Sequence, residues 1–451
     1  MSQAGGDNEY FDKLSTSQGR NEFFDCSFFT WNLLYGRNPV TVKKMETREK
    51  SPEFDLFSPD FKQNPFPAFA RMRRESPVYR HVSPGGVVTW YVTRYEDVLA
   101  VLRDNEHFIK DVSRIRPSAK PKTNASVHQR INENMLFADP PDHTRLRALV
   151  NQAFTPRRVE KMAGRIREIA AGLLDKNVQD GEIELITGYA LPLPVMVICE
   201  MLGIPAVDQA QVTDWSQAII SPGSKGLSRR ARKRKMREFV AYLQAMFADR
   251  RQRPQDDLIT ALVQAEEAGD RLSEAELSSM AALLLVTGHE TTVNLIGNGA
   301  LALLQNREQL ALLRENEGLW DTAVEELLRY DGPVETSTTR WVRQDFVFRG
   351  QQMHRGDIMR VVLTSANRDA AAFACPDELN VQRGDVKKHL AFGHGIHYCL
   401  GAPLARLEGK IALGRLYGRY PRLRLKIPAD QLLWRPGILF RGLETLPLLT
   451  G

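Results

Sequence analysis

The apolar run "MAALLLVTGHETTVNLIGNGALALL", Met280 to Leu304, constrains the fold more than any other stretch of the chain. It is long enough to span a membrane, but His289, Glu290 and Asn294 lie at its middle, where ionisable groups in hydrocarbon are costly. It is also too apolar around its circumference for a helix half exposed to water. The run predicts a long helix enclosed by protein, and such a helix needs a large, mostly helical domain around it.

The remaining sequence supplies that domain. Of 451 residues, 43% are apolar and 26% charged, enough for a sizeable core. Helical spacing recurs in "YEDVLAVLRD", "HTRLRALVNQAF", "RRVEKMAGRIREIAAGLLDK", "KMREFVAYLQAMFADRRQ" and "LWDTAVEELLRYDG". Strand-like alternation is confined to "PVYRHVSPGGVVTWYVTR" and "TTRWVRQDFVFRGQQMHRGDIMRVVL". The predicted fold class is therefore mainly α with a small β region. Without repeats or a low-complexity linker, residues 51–451 are expected to form a single domain. Residues 1–50, polar apart from "FFDCSFFTWNLLYG", are expected to be a disordered extension, an ordered arm, or a segment bypassed by a start at Met45.

The formal charge of +6 suits an acidic partner without implying nucleic acid. The basic run "SRRARKRKMR", Ser228 to Arg237, leads into an amphipathic pattern and reads as a solvated helix start. Cys26, Cys199, Cys375 and Cys399 form no CxxC pair, which argues against a disulfide framework or zinc ribbon and fits a reducing compartment. No secretory leader is visible. The expected location is the cytoplasm and the expected oligomeric state a monomer.

Chemistry concentrates in "AFGHGIHYCLGAPLARLE", Ala391 to Glu408. Cys399 precedes a helical pattern, and a helix N-terminus favours a thiolate. Gly393, Gly395 and Gly401 leave the backbone bare for a large flat ligand. A buried inert cysteine, a zinc site with His394 and His397, and a thiolate on one face of a haem iron are the readings left open; zinc lacks a fourth ligand. In the enclosed helix, Glu290 beside Thr291 is a carboxylate that is costly unless paired or functional. Glu326 and Arg329 stand at i, i+3 in "EELLRY". His143 and Arg147 share a helix face in "DPPDHTRLRAL".

Phe392, Gly395, His397, Cys399 and Gly401 together resemble the cytochrome P450 haem signature F-x-x-G-x-[HR]-x-C-x-G at every fixed position. Glu326 and Arg329, with Arg383 further on, resemble the family's E-x-x-R and its later arginine, although Cys375-Pro376 replaces the usual Asp-Pro. "TGHETT" resembles the family's A-G-x-[DE]-T, with Thr287 in place of a small residue before Gly288. The resemblance runs from about Phe54 to the C-terminus and is closest to soluble bacterial members. It implies a triangular helical prism, with haem b (iron protoporphyrin IX) between the long helix and the cysteine loop.

By the same resemblance Cys399 is the proximal iron ligand and Phe392 packs beside its sulfur. His143, Arg147, Arg340 and His397 hold the propionates, and Glu290 with Thr291 delivers protons to bound oxygen. The implied reaction inserts one atom of O2 into a C–H bond of a lipophilic molecule, with oxidative coupling, desaturation or a haem sensor as alternatives. The substrate is expected near Thr287, Gly288, Val334 and Thr336, under a lid formed by the long polar segment within residues 109–136. No dinucleotide-binding motif is present, so NAD(P)H-derived electrons are expected through a ferredoxin or flavodoxin and its reductase. Arg406, Lys410, Arg415 and Arg419 are candidates for docking that partner.

Overall fold

The computed structural model describes residues 53–115, 133–220, 228–267 and 269–451. The expectations for residues 1–50 and Met45, and for the lid segment at 116–132, lie outside these.

The apolar run folds as part of one helix, Glu274–Gln305, hereafter the central helix. Ser273 opens it with a capping box: its hydroxyl accepts from the Glu276 amide, while the Glu276 carboxylate accepts from the Ser273 amide. From Val293 to Leu304 every side chain is buried, because two other helices press on it closely. A side chain at Gly299 would stand 3.1 Å from both Leu327 and Leu413, and one at Gly409 would stand 2.9 Å from Leu295. Leu327 belongs to the helix Trp320–Asp331, which carries the E-x-x-R pair. Leu413 and Gly409 belong to Ala402–Arg419, the helix that follows Cys399. These three helices are thus locked together where glycine lets backbones approach.

The β content is small, as the alternation predicts. A five-stranded mixed sheet runs Val78–Val82, Val88–Val92, Ile358–Val361, Arg340–Val342 and Phe108–Ile109. Its antiparallel pairings include Ile358 with Trp341 and Met359 with Arg340, which fixes where Arg340 points. A three-stranded sheet joins Arg424–Leu425, Pro447–Leu449 and Glu182–Glu184.

Two helical details differ from the spacing. "RRVEKMAGRIREIAAGLLDK" forms two helices, Pro156–Lys161 and Ala163–Asn177, divided at Met162. "PLPVMVICEML" forms a helix, Pro192–Leu202, that periodicity does not reveal. It is apolar on most sides and buried, so no polar face marks its period. Its signals are local: proline in the first turn and Gly203 at φ 77° as the C-cap.

Candidate functional site

The loop before Ala402–Arg419 is shaped by its own backbone. The Cys399 amide donates to the Phe392 carbonyl at 3.0 Å and the Tyr398 amide to Gly395 at 3.0 Å, folding the loop back on itself. Gly395 sits at φ 76°, and a Cβ there would lie 2.8 Å from the Leu102 carbonyl oxygen. Its role is therefore loop packing rather than the open ligand face expected of it; Gly393, at φ 71°, has nothing within 4 Å. Burial pushes the Cys399 thiol up, while the Gly401 amide, Arg147, Arg406 and the Ala402 amide pull the other way. A cation bound to the sulfur would tip this balance to thiolate. No group of three or more His, Cys, Asp or Glu side chains among the described residues could hold a metal, which leaves the zinc reading without support.

Four sequence-predicted residues converge beside that loop. His143 and His397 place their rings 4.3 Å apart. Arg340, 2% exposed, is held in the sheet, and Arg147 follows His143 by one turn. Their buried polar atoms lack partners among the described residues: both ring nitrogens of His143, Nε2 of His397, and Nε and Nη1 of Arg340. Desolvation pulls the Arg340 guanidinium down to about 10. It also holds His397 far below the usual imidazole value, with Lys110, Arg340, His143 and Arg147 adding repulsion.

Lys110 was not anticipated from sequence. It is 2% exposed, and its ammonium donates to the Thr338 hydroxyl and to the Thr338 and Thr339 carbonyls. Its one signal was a lysine closing the short apolar stretch "HFIK". Buried donors left unpaired are costly, and those of His143, His397 and Arg340 fit two carboxylates, the pair that a haem carries, with Lys110 adding positive charge beside them.

Across the central helix, Thr287 is exposed and its hydroxyl donates to the Leu283 carbonyl at 2.7 Å. The Thr291 hydroxyl donates to the Thr287 carbonyl at 3.2 Å. Both keep oxygen lone pairs free, and such back-bonds bend a helix slightly. Glu290 pairs with Arg435 at 2.5 Å, a partner 145 residues away that sequence reading did not identify. Other positions expected at the substrate face elsewhere. A Cβ at Gly288 would lie 3.3 Å from Ile198, and Thr336 is fully buried with its hydroxyl bonded to the Ile438 carbonyl. Val334 is half-buried, as is Thr338 nearby.

The E-x-x-R residues form one closed network. Glu326 accepts from Arg329 at 2.7 and 2.8 Å and from Arg383 at 3.0 and 3.1 Å. Glu326 and Arg329 are wholly buried. Arg383 also donates to the Ala374 and Cys375 carbonyls, so the Cys375-Pro376 departure leaves the third partner in place. The neighbouring Glu325 accepts from His389 and Arg406; burial alone would raise its carboxyl, but these partners bring it down to about 2. Arg406 also lies 4.4 Å over the Phe392 ring. The docking candidates are largely committed within the chain: Arg406 to Glu325, Lys410 to Asp321 and Arg419 to Asp175, with Arg415 exposed.

Comparison with known proteins bears directly on this arrangement. The sequence profile of the family described as Cytochrome P450 matches residues 198–423. The polyketide biosynthesis cytochrome P450 PksS of Bacillus subtilis (strain 168) is 43% identical over 396 residues, covering 86% of this chain and 96% of the relative. Its solved structure superposes with a TM-score of 0.82, covering 88% of this chain and all of that one. The vitamin D(3) 25-hydroxylase of Pseudonocardia autotrophica is 42% identical, covering 88% and 97%. A myxobacterial cytochrome P450 solved in complex with myristic acid is 40% identical with a TM-score of 0.80, covering 88% and 98%.

Proposed function

The chain belongs to the cytochrome P450 family and is a haem-dependent monooxygenase, and from that premise we propose that it oxidises a large lipophilic molecule of polyketide type in the cytoplasm, as a monomer reduced by a ferredoxin. Haem bound at this site supplies the activation of O2 and the insertion of one oxygen atom into a C–H bond.

The chain's own residues prepare that step. Cys399 would hold the haem iron through its sulfur, to which the Gly401 and Ala402 amides donate. His143, Arg147, Arg340 and His397 would hold the two propionates, with the charge of Lys110 beside them. The observation that carries the reading is the set of buried nitrogens on His143, His397 and Arg340 that lack a partner among the described residues. Glu290 and Thr291 would hold and pass the protons that the reaction consumes, and Thr287 with Val334 would border the substrate. The polyketide reading rests on the relationship to PksS, and among the described residues no helix is long and apolar enough to cross a membrane.

The redox partner docks behind the cysteine loop, where Arg406 is the one of the four cations expected from sequence that lines the cleft. A cleft of about 250 Å³ there is lined by Arg103, Lys387, Lys388 and Arg406, together with Tyr398 and His394. The three cations Arg103, Lys387 and Lys388 are exposed and suit an acidic protein. Reduction by ferredoxin should slow steeply as salt rises; salt-independent reduction would exclude this docking.

The deciding measurement is the absorption spectrum of the dithionite-reduced protein with carbon monoxide. A strongly red-shifted Soret band is expected, and a band at the histidine-ligated position would refute Cys399 as ligand. Thr291→Ala should cut product per NAD(P)H about a hundredfold, the lower end of what a positioned proton donor contributes. Unchanged coupling would remove Thr291 from proton delivery.

A further inference from the structure

We propose that Arg435 is the positioning residue for the Glu290 carboxylate, and that the hairpin around it thereby sets proton delivery. The inference rests on Glu290 having the role given above.

The hairpin meets the central helix at two points. Trp434 pairs with Leu443 in an antiparallel bridge, and the Arg435 amide donates to the Gly442 carbonyl at 2.8 Å. Arg435 and Gly442 therefore stand opposite each other. Glu290 and Asn294, at i and i+4, stand on one face of the central helix. Arg435 Nη1 lies 2.5 Å from Glu290 Oε1. Gly442 lies against Asn294 so closely that a Cβ would come within 2.0 Å of Asn294 Oδ1. Opposed hairpin residues thus grip successive turns of the helix.

The hairpin is itself anchored at its far side. Arg441 pairs with Asp331 at 2.6 Å, stacks 3.6 Å over Trp434, and donates to the Lys62 carbonyl at 2.8 Å. Arg435 is consequently fixed from behind, and its guanidinium fixes one oxygen of Glu290 at a part-buried site, with side chains 32% and 18% exposed. A carboxylate on a flexible two-carbon stem delivers protons efficiently only when held in one place, since small misplacement of a catalytic group costs large factors in rate. A surface ion pair would contribute little. This one is buttressed on both sides and sits on the acid of the acid–alcohol pair.

The test is a mutant cycle on the haem-loaded protein with Glu290→Gln, Arg435→Met and Arg435→Lys, scored only in material giving the red-shifted carbon monoxide band. Arg435→Met should lower product per NAD(P)H about tenfold and alter the solvent deuterium isotope effect on turnover, with Arg435→Lys recovering part of both. In the Glu290→Gln background Arg435→Met should change neither. Amide hydrogen exchange should quicken across residues 432–443 in Arg435→Met and in Glu290→Gln alike. Full coupling in Arg435→Met while Glu290→Gln is impaired would overturn the positioning role alone. An equal loss from Arg435→Met in both backgrounds would do the same, because Arg435 would then act by another route. Full coupling in Glu290→Gln would remove the proton-delivery assignment and this inference with it.

Discussion

Beside the cysteine loop, Glu326 accepts four hydrogen bonds from Arg329 and Arg383, whereas Arg340, His143 and His397 keep buried donors with no partner among the described residues. Both regions bury charge deeply: Arg329 is fully buried and Arg340 is 2% exposed. The first is complete with protein alone, so its charges repay their desolvation within the chain. The second would be completed by an anionic group. A closed charge network is a scaffold, and an open one is a receptor.

The comparison breaks most severely at Glu326. Glu326→Ala strands two buried arginines, and removing one partner of such a pair costs about 3–5 kcal/mol. Expression should yield little haem-binding protein, and denaturant melts of what remains should show that loss. A variant of near-normal stability would show that the network is not a scaffold.

Arg340 should behave in the opposite way. In the haem-free protein its guanidinium is held below its ordinary value by burial, so its charged form is penalised at every pH under about 10. Arg340→Met should raise the melting temperature of haem-free protein while weakening haem retention by about 2 kcal/mol, the scale of a charged hydrogen bond. Haem transfer to a scavenging globin would measure the second effect. Destabilised haem-free protein would place Arg340 with the scaffold instead.

Two neighbouring glutamates sharpen the contrast through pH. Glu325, paired to His389 and Arg406, sits at about 2, so its stabilisation is present above the ordinary carboxylate value and is lost as pH falls towards 2. Glu408, buried with Thr292 as its one polar neighbour and no cation beside it among the described residues, is pushed up to about 8 by desolvation, which the Thr292 hydroxyl only partly offsets. Its contribution is full below the ordinary value and is lost as pH rises through 8. Between pH 7 and 9 that loss amounts to about 1.4 kcal/mol. Glu408→Gln should flatten the alkaline limb of a stability–pH curve, and an unchanged limb would assign it to other groups.

Much of the site could be read from local pattern. Cys399 and its glycines, the Glu326–Arg329 spacing and the Glu290–Thr291 pair are each contiguous or one helical turn apart, so sequence order carries their geometry. Pattern misassigned residues whose surroundings come from elsewhere. Gly395 looked like a ligand face until Leu102 stood against it, and Gly288 until Ile198 did. Arg406 and Lys410 looked like free cations until Glu325 and Asp321 claimed them. The Pro192–Leu202 helix carried no period because most of its circumference is buried.

The sequence by itself determined the helical class and the enclosed central helix, and its motifs carried the resemblance to the family. The first two follow from composition and periodicity and the third from short motifs, which no packing can alter. Tertiary structure alone decided that Lys110 joins the cationic cluster, that Arg435 reaches Glu290 across 145 residues, and that Glu408 is buried without a cation beside it among the described residues. The physical reason is that desolvation and ion pairing depend on which surfaces meet, and that is fixed only when distant segments are packed together.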